Sequence, residues 1–258
     1  MQIGPDIAVS LSGVGLPNGN TTPRSLLAWA SQQRVRGVVI DGAAPGFRAR
    51  ELGRSARRDL AASLRRGELE LAGLDLWIPA DHFTDPEQCQ RAAEAVVGAA
   101  GLAGELSGLV GSGSLASVSI MTPESIEPAL LSSMGEHAAR IGVSIIDHRA
   151  HDAGTLPAGI RRGVDPASAL FAGSDPVQAV HAAGKDLAAV RLDDVNAMGR
   201  CPVGAEGGRL DVTGFKASVV LTPLRWISVD LRQLPDPARC LAMAGEAWRS
   251  ALGMPGNG

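Results

Sequence analysis

Val143-Ser144-Ile145-Ile146-Asp147-His148 is the stretch on which the reading of this chain turns. A run of mostly β-branched residues, the kind that suits a pleated, buried strand, stops at a carboxylate and an imidazole. The same pattern recurs along the chain. Val38–Asp41 ends in Asp41, and Leu71–Ile78 carries Asp75 and leads on to Asp81 and His82. Leu187–Asp194 ends in Arg191, Asp193 and Asp194, and Trp226–Arg232 ends in Asp230 and Arg232. Apolar strands with charged C-terminal ends, separated by helical segments, predict a parallel barrel with a polar mouth.

Three more strands complete a set of eight: Ile7–Ser12, Leu115–Met121 and, least defined, a segment within Ala158–Asp165. Helices are predicted between them. Pro23 opens one through Gln33, where its missing N–H costs nothing. Arg50–Arg66 places Leu52, Leu60 and Leu64 at helical spacing, giving one face to lie on a sheet. Thr84-Asp85-Pro86-Glu87 and Thr122-Pro123-Glu124-Ser125 both read as a cap, a proline and an acid, starting helices that run to about Leu106 and Gly142. Ser174-Asp175-Pro176 starts a helix ending at Gly184, Asp211–Val220 is helical, and Asp236-Pro237 opens the last helix, to about Leu252. Asn196–Gly208 reads as a long Gly-rich loop. The expectation is a single-domain α/β chain, a (β/α)8 TIM barrel over residues 1–252 with a frayed tail at 253–258. A length of 258 residues matches the roughly 250 usual for such barrels. The rival is a doubly wound sheet, which calls for a dinucleotide fingerprint. Gly13-Val14-Gly15 follows the first strand, but Asn18 stands where the third glycine belongs and Pro17 interrupts the turn.

Composition narrows the function. The formal charge is −3 and aromatic residues make up 3% of the chain, with no Tyr. Neither a basic field nor stacking platforms for nucleic acid are therefore expected. The arginines of Arg54–Arg66 and the pair Arg161–Arg162 read as solvated faces and loops. Cys89, Cys201 and Cys240 are far apart and form no C-x-x-C pair, which fits a reducing, cytoplasmic setting. No stretch of about 20 apolar residues is evident, so no membrane span is expected. An Ala- and Leu-rich helical exterior leaves room for a homodimer.

The order of the strand ends resembles the xylose isomerase-like barrel superfamily, which groups sugar isomerases, sugar-phosphate epimerases and type IV apurinic endonucleases. The resemblance covers most of the chain. Its clearest stretches are Gly73–Ala93 and the run from Gly173 to Leu252. The second contains Ala172-Gly173-Ser174-Asp175-Pro176, Val190-Arg191-Leu192-Asp193-Asp194, Gly204–Asp211 and Ser228-Val229-Asp230-Leu231. The resemblance implies a carbohydrate-metabolism enzyme with a divalent cation at the mouth, held by Glu, Asp, His and Glu from strands five to eight. Here those places match Asp147, Asp165, Arg191 and Asp230. Both glutamates are shortened, and the histidine has become a permanent cation.

Two site readings follow. In one, Asp147, Asp165 and Asp230 hold a cation such as Mg, Mn or Zn. In the other, no metal is bound, and the guanidinium of Arg191 takes its place, paired with Asp147 and Asp230. Catalysis would fall to Asp147, Asp230 and Arg191, the acids moving protons and the cation polarising a carbonyl. Trp77, His82, Asp193 and Arg232 are candidate contacts for a small sugar or polyol. Each also has a plainer reading: core packing for Trp77, a loop role for His82, an exposed ion pair for Arg232. Asp193 shares the strand parity of Arg191, whereas His148 falls on the face opposite Asp147 and reads as a supporting or surface residue. The implied function is a sugar isomerase or epimerase. The alternative is a non-catalytic binding or regulatory barrel that has lost the metal-ligand set.

Overall fold

The structure, a computed structural model, describes residues 4–16, 19–111, 113–149 and 155–251. The expected end of the last helix at Leu252 and the tail at 253–258 lie outside the described residues. Eight parallel strands close into a barrel: β1 (Asp6–Ser10), β2 (Gly37–Asp41), β3 (Glu70–Asp75), β4 (Ser117–Ile120), β5 (Ser144–Asp147), β6 (Ile160–Val164), β7 (Leu187–Leu192) and, after an antiparallel hairpin, β10 (Trp226–Val229). The hairpin strands are β8 (Asp194–Asn196), which bridges the predicted strand end and the predicted loop, and β9 (Gly199–Cys201), which lies within that loop. β1 pairs with both β2 and β10, so the ring has no edge.

The helices are α1 (Pro23–Gln32), α2 (Arg54–Arg66), α3 (Cys89–Val110), α4 (Pro128–Arg140), α5 (Pro166–Phe171), α6 (Pro176–Ala183), α7 (Val212–Val219) and α8 (Pro237–Ser250). Proline in the first turn opens α1, α4, α5, α6 and α8. α2 begins at Arg54 rather than Arg50, which leaves Leu52 ahead of the helix, and two predicted cap-and-proline starts are also displaced. Asp85 accepts from the backbone of Glu87 at 2.8 Å and makes a tight turn, so α3 begins at Cys89 instead. The Thr122 hydroxyl bonds Asp147 at 2.5 Å rather than capping a helix, and Pro128 takes the first position of α4. In both cases a side chain found a competing partner. α3 has the length and hydropathy of a membrane span, but it is one of the barrel's outer helices, packed against α2, α4, β3 and β4.

The strand register decides which side chains enter the barrel. Val118 and Ile120 of β4 join the apolar layer between barrel and helices, while Ser117 and Ser119 line the interior. Ile120 is in register with Asp147, and Val118 with Ile145. Asp147 therefore shares the outward face, and Ile146 and His148 take the inward one. Ser10, Asp75, Ser119, Arg191 and Ser228 also point inward. Small and polar residues in the interior leave room for a long side chain to cross it, and a cavity of about 30 Å³ remains beneath, enough for a single water.

Close backbone approach locks α4 to the β5–β6 connection. A Cβ on Gly135 would lie 2.2 Å from the Ala158 carbonyl oxygen, and one on Gly159 2.0 Å from the Gly135 oxygen. Gly159 also has φ +77°, a left-handed conformation that suits glycine. Gly135→Ala is expected to lower the free energy of unfolding by about 1–3 kcal/mol through overpacking, measured by urea denaturation.

Candidate functional site

At the mouth, Arg191 is the central group. It sits near the end of β7, only 2% exposed. Its Nη2 donates to Asp75 Oδ1 at 2.9 Å and its Nη1 to Asp165 Oδ2 at 2.9 Å. β3 and β7 stand four places apart in the ring of eight, counted either way. The guanidinium thus crosses the barrel axis to reach Asp75. Asp75 is held from its other side by the Ser10 hydroxyl, which donates to Oδ2 at 2.7 Å. The face of Arg191 lies 4.2 Å from the Trp77 ring centroid. Burial disfavours the charge, but Asp75, Asp165 and Asp230 outweigh that and keep Arg191 firmly protonated.

A second layer of arginines covers the other acids. Arg200, on β9, places Nη2 3.0 Å from Asp193 Oδ2 and 2.9 Å from Asp230 Oδ2. Arg232 chelates Asp230 through Nε at 2.9 Å and Nη2 at 2.6 Å, and stacks 3.1 Å from the Trp77 centroid. Asp165 also caps α5, accepting from Ser168 N at 2.8 Å, and Asp193 accepts from Ala167 N at 2.9 Å. Asp194 faces away and gathers the backbone N–H groups of Val195, Arg209 and Leu210.

Environment splits the acids. Burial and the neighbouring carboxylates Asp165 and Asp230 raise the Asp193 pKa well above the usual carboxylate value, so this carboxyl favours its protonated form. Burial also opposes ionisation of Asp165 and Asp230. Arg191 with the Ser168 N–H wins for Asp165, and Arg232 with Arg200 wins for Asp230, so both pKa values fall. At the end of β2, burial and Asp75 raise the Asp41 pKa. Burial, reinforced by Arg191, holds His148 well below the ordinary imidazole value and therefore neutral.

These positions correct the expected constellation. Asp147 does not pair with Arg191 or Asp230. Its carboxylate accepts from Thr122 N and Oγ1 and lies 3.3 Å from Arg149 Nε, on the outward face of β5. It is outside the acidic group that could hold a metal. Arg191 pairs instead with Asp75 and Asp165. The inward residue at the end of β5 is His148, expected as a supporting or surface residue; it is 3% exposed, with Nε2 3.1 Å from Ser119 Oγ. The ring of Trp77, for which a ligand wall and core packing are the two expected readings, carries the guanidinium groups of Arg191 and Arg232. His82 lies in a short 3-10 turn, Ala80–Phe83, and makes no hydrogen bond or ion pair with the cluster among the described residues. Asp193, Arg232, Asp165 and Asp230 do meet at the mouth. Asp75 and Arg200 were absent from the expected site. Asp75 had a signal, a carboxylate in the third strand; Arg200, in a stretch read as loop, had none.

Asp165, Asp193 and Asp230 each offer an oxygen within 4.8 Å of the others, a buried triad that could hold a metal ion by spacing alone. The surroundings do not fit a dication. All six carboxylate oxygens already accept a hydrogen bond or ion pair, from Arg191, Arg200, Arg232 or the backbone of Ala167, Ser168 and Arg232. A divalent ion would have to enter among three guanidinium groups.

No family model matches the chain, and no curated protein matches it in sequence. Solved structures do match. A xylose isomerase domain protein from Planctomyces limnophilus superposes with TM-score 0.74 at 14% identity, covering 96% of this chain and 97% of that one. A D-allulose 3-epimerase from Methylomonas sp., solved in complex with D-allulose, gives 0.68 at 15%, covering 97% and 98%. A xylose isomerase-like TIM barrel protein from Mycobacterium smegmatis, solved in complex with magnesium, gives 0.69 at 13%, also covering 97% and 98%. The fold is the (β/α)8 barrel that these solved structures share.

Asp165→Asn should cost about 3–5 kcal/mol, because it strips a buried guanidinium of one of its two acids. Asp147→Asn should cost less, because Arg191 keeps both partners; urea denaturation compares the two. Asp165 and Asp230 bind protons less readily folded than unfolded. Their contribution to stability is complete above the unfolded carboxylate pKa of about 3.9 and is lost as pH falls through the lower folded values. Asp193 has the opposite sign: from about pH 3.9 up through its raised folded value, stability declines as pH rises. Asp193→Asn should flatten that decline, measured as unfolding free energy against pH.

Proposed function

We propose that this barrel takes a small sugar or related polyol at its mouth and performs isomerase- or epimerase-like proton transfer there. The observation that carries the reading is the pair Asp193 and Asp230, bridged by Arg200 and pushed in opposite directions. Neighbouring carboxyls with divergent pKa values are the equipment of an acid and a base. Asp230 is the base and Asp193 the acid. Asp230 removes a proton from the carbon beside a carbonyl, and the electron pair moves onto the carbonyl oxygen. Arg200 faces that developing charge. Asp193 returns a proton to carbon, which leaves Asp193 ionised and Asp230 protonated until they exchange the proton. Access requires Arg200 and Arg232, whose side chains are 11% and 24% exposed, to shift.

Two further features support an oxygen-rich ligand. Trp77 Nε1 and Arg200 Nε are buried donors with no hydrogen-bond partner among the described residues, a state that calls for an acceptor. A structural neighbour was solved with D-allulose. The free thiols of Cys89, Cys201 and Cys240 fit work in a reducing, cytoplasmic compartment.

A non-catalytic binding role is the second reading. Its support is that Asp165, Asp193 and Asp230 are almost fully buried under arginines. One experiment separates the two: a panel of ketoses and aldoses incubated with the protein in D2O and followed by proton NMR. Saturation transfer reports binding, and loss of the signal beside the carbonyl reports exchange. Binding with exchange that Asp230→Asn abolishes is the expected result. Binding without exchange selects the non-catalytic role, and no binding by any member of the panel removes the sugar reading altogether.

A further inference from the structure

We infer that the guanidinium of Arg191 is the permanent central cation of this mouth, so that the site assembles without a divalent metal. The inference needs only the cluster and stands whether or not the ligand is a sugar.

Its position is the first argument. Arg191 reaches across the barrel axis and engages one acid with each terminal nitrogen, Asp75 at 2.9 Å and Asp165 at 2.9 Å. A planar fork suits two carboxylates on different strands, where the compact ammonium of a lysine does not. The indole of Trp77 covers its face. At 2% exposure the group has no route to water that keeps these contacts. Removing it would leave Asp75 and Asp165 buried without their cation, which costs more than the pair itself contributes.

Charge balance is the second. Asp75, Asp165, Asp193 and Asp230 contribute four formal negative charges, and Arg191, Arg200 and Arg232 contribute three positive. The protonated form that Asp193 favours removes one of these negative charges, so the seven groups balance, and a dication would add two uncompensated positive charges among side chains that are mostly buried. Three guanidinium groups already in ion-pair contact with the acids make that addition unfavourable. Arg191 is also the hardest of the three to displace. Arg200 comes from a short hairpin and Arg232 from the connection after β10, and both retain some exposure, whereas Arg191 is anchored within a barrel strand.

The test uses the full chain, expressed in medium supplemented with Mg²⁺, Mn²⁺ and Zn²⁺, with metal content read by mass spectrometry after gel filtration. Thermal unfolding is then recorded with EDTA and with each ion. Wild-type protein is expected to carry only substoichiometric metal and to unfold at the same temperature in every condition. A stoichiometric ion, or a Tm that falls in EDTA, overturns the inference. So does a saturable rise with any ion; one present at a hundred times its Kd would raise Tm by about 5–10 °C. Arg191→Gln exposes the acids to competition and is expected to gain a Mn²⁺-dependent rise in Tm that the wild type lacks. An equal response in both proteins overturns the inference. If Arg191→Gln does not fold, the wild-type measurements decide.

Discussion

The mouth of this barrel depends on one ion pair drawn across its axis, Arg191 on β7 to Asp75 on β3. Strands on opposite sides of a closed ring share no backbone hydrogen bonds. Only side chains can tie them through the interior, and the interior must be emptied of bulk to let one pass. Ser10, Ser119 and Ser228 do that here, in a region that such barrels usually fill with branched aliphatic residues. The polar lining is therefore a requirement of the crossing arginine. Once a guanidinium lies in a water-poor interior its donors need acceptors, and Asp75 and Asp165 supply one to each terminal nitrogen.

The remaining charges follow from that first pair. Asp165 serves Arg191 with one oxygen and caps α5 with the other, so the cation also sets the start of a helix. Asp193 and Asp230 are left to share Arg200, and Arg232 closes over Asp230 and Trp77. Like charges this close cannot all stay ionised, and the proton goes to the acid with the weakest cationic support, Asp193. The same crowding sets a carboxyl that favours its proton beside one that favours ionisation, both under arginines, and both proposals rest on that arrangement. The arginines are carried by a strand, a hairpin and a loop.

Much of the architecture was legible in the chain. The strands ending in charge, the prolines opening α1, α6 and α8, and the absence of a dinucleotide fingerprint pointed to a closed parallel barrel, because these signals are local. The displaced starts of α3 and α4 were not legible. Asp85 and Thr122 carry genuine capping chemistry but spend it elsewhere, Asp85 on a turn and Thr122 on a carboxylate 25 residues away. The three-residue strand β9 that brings Arg200 to the mouth has no apolar alternation and was hidden in a Gly-rich stretch.

By itself, the sequence placed Asp147, Asp165, Arg191, Asp193 and Asp230 at strand ends, and parallel strands end together; Asp165, Arg191, Asp193 and Asp230 meet at the mouth, whereas Asp147 bonds Thr122 instead. The sequence also carried the substitution that matters chemically, an arginine in a place where the resemblance implies a metal-binding histidine. Tertiary structure alone decided which of Asp147 and His148 enters the interior. Alternation along a strand separates two faces but does not say which is inward; the register of β5 on β4, with Asp147 beside the outward Ile120, makes that choice. Partner choice was settled the same way. Whether Arg191 meets Asp230 on its neighbouring strand or Asp75 across the ring is a matter of side-chain reach and barrel width, which no linear pattern encodes.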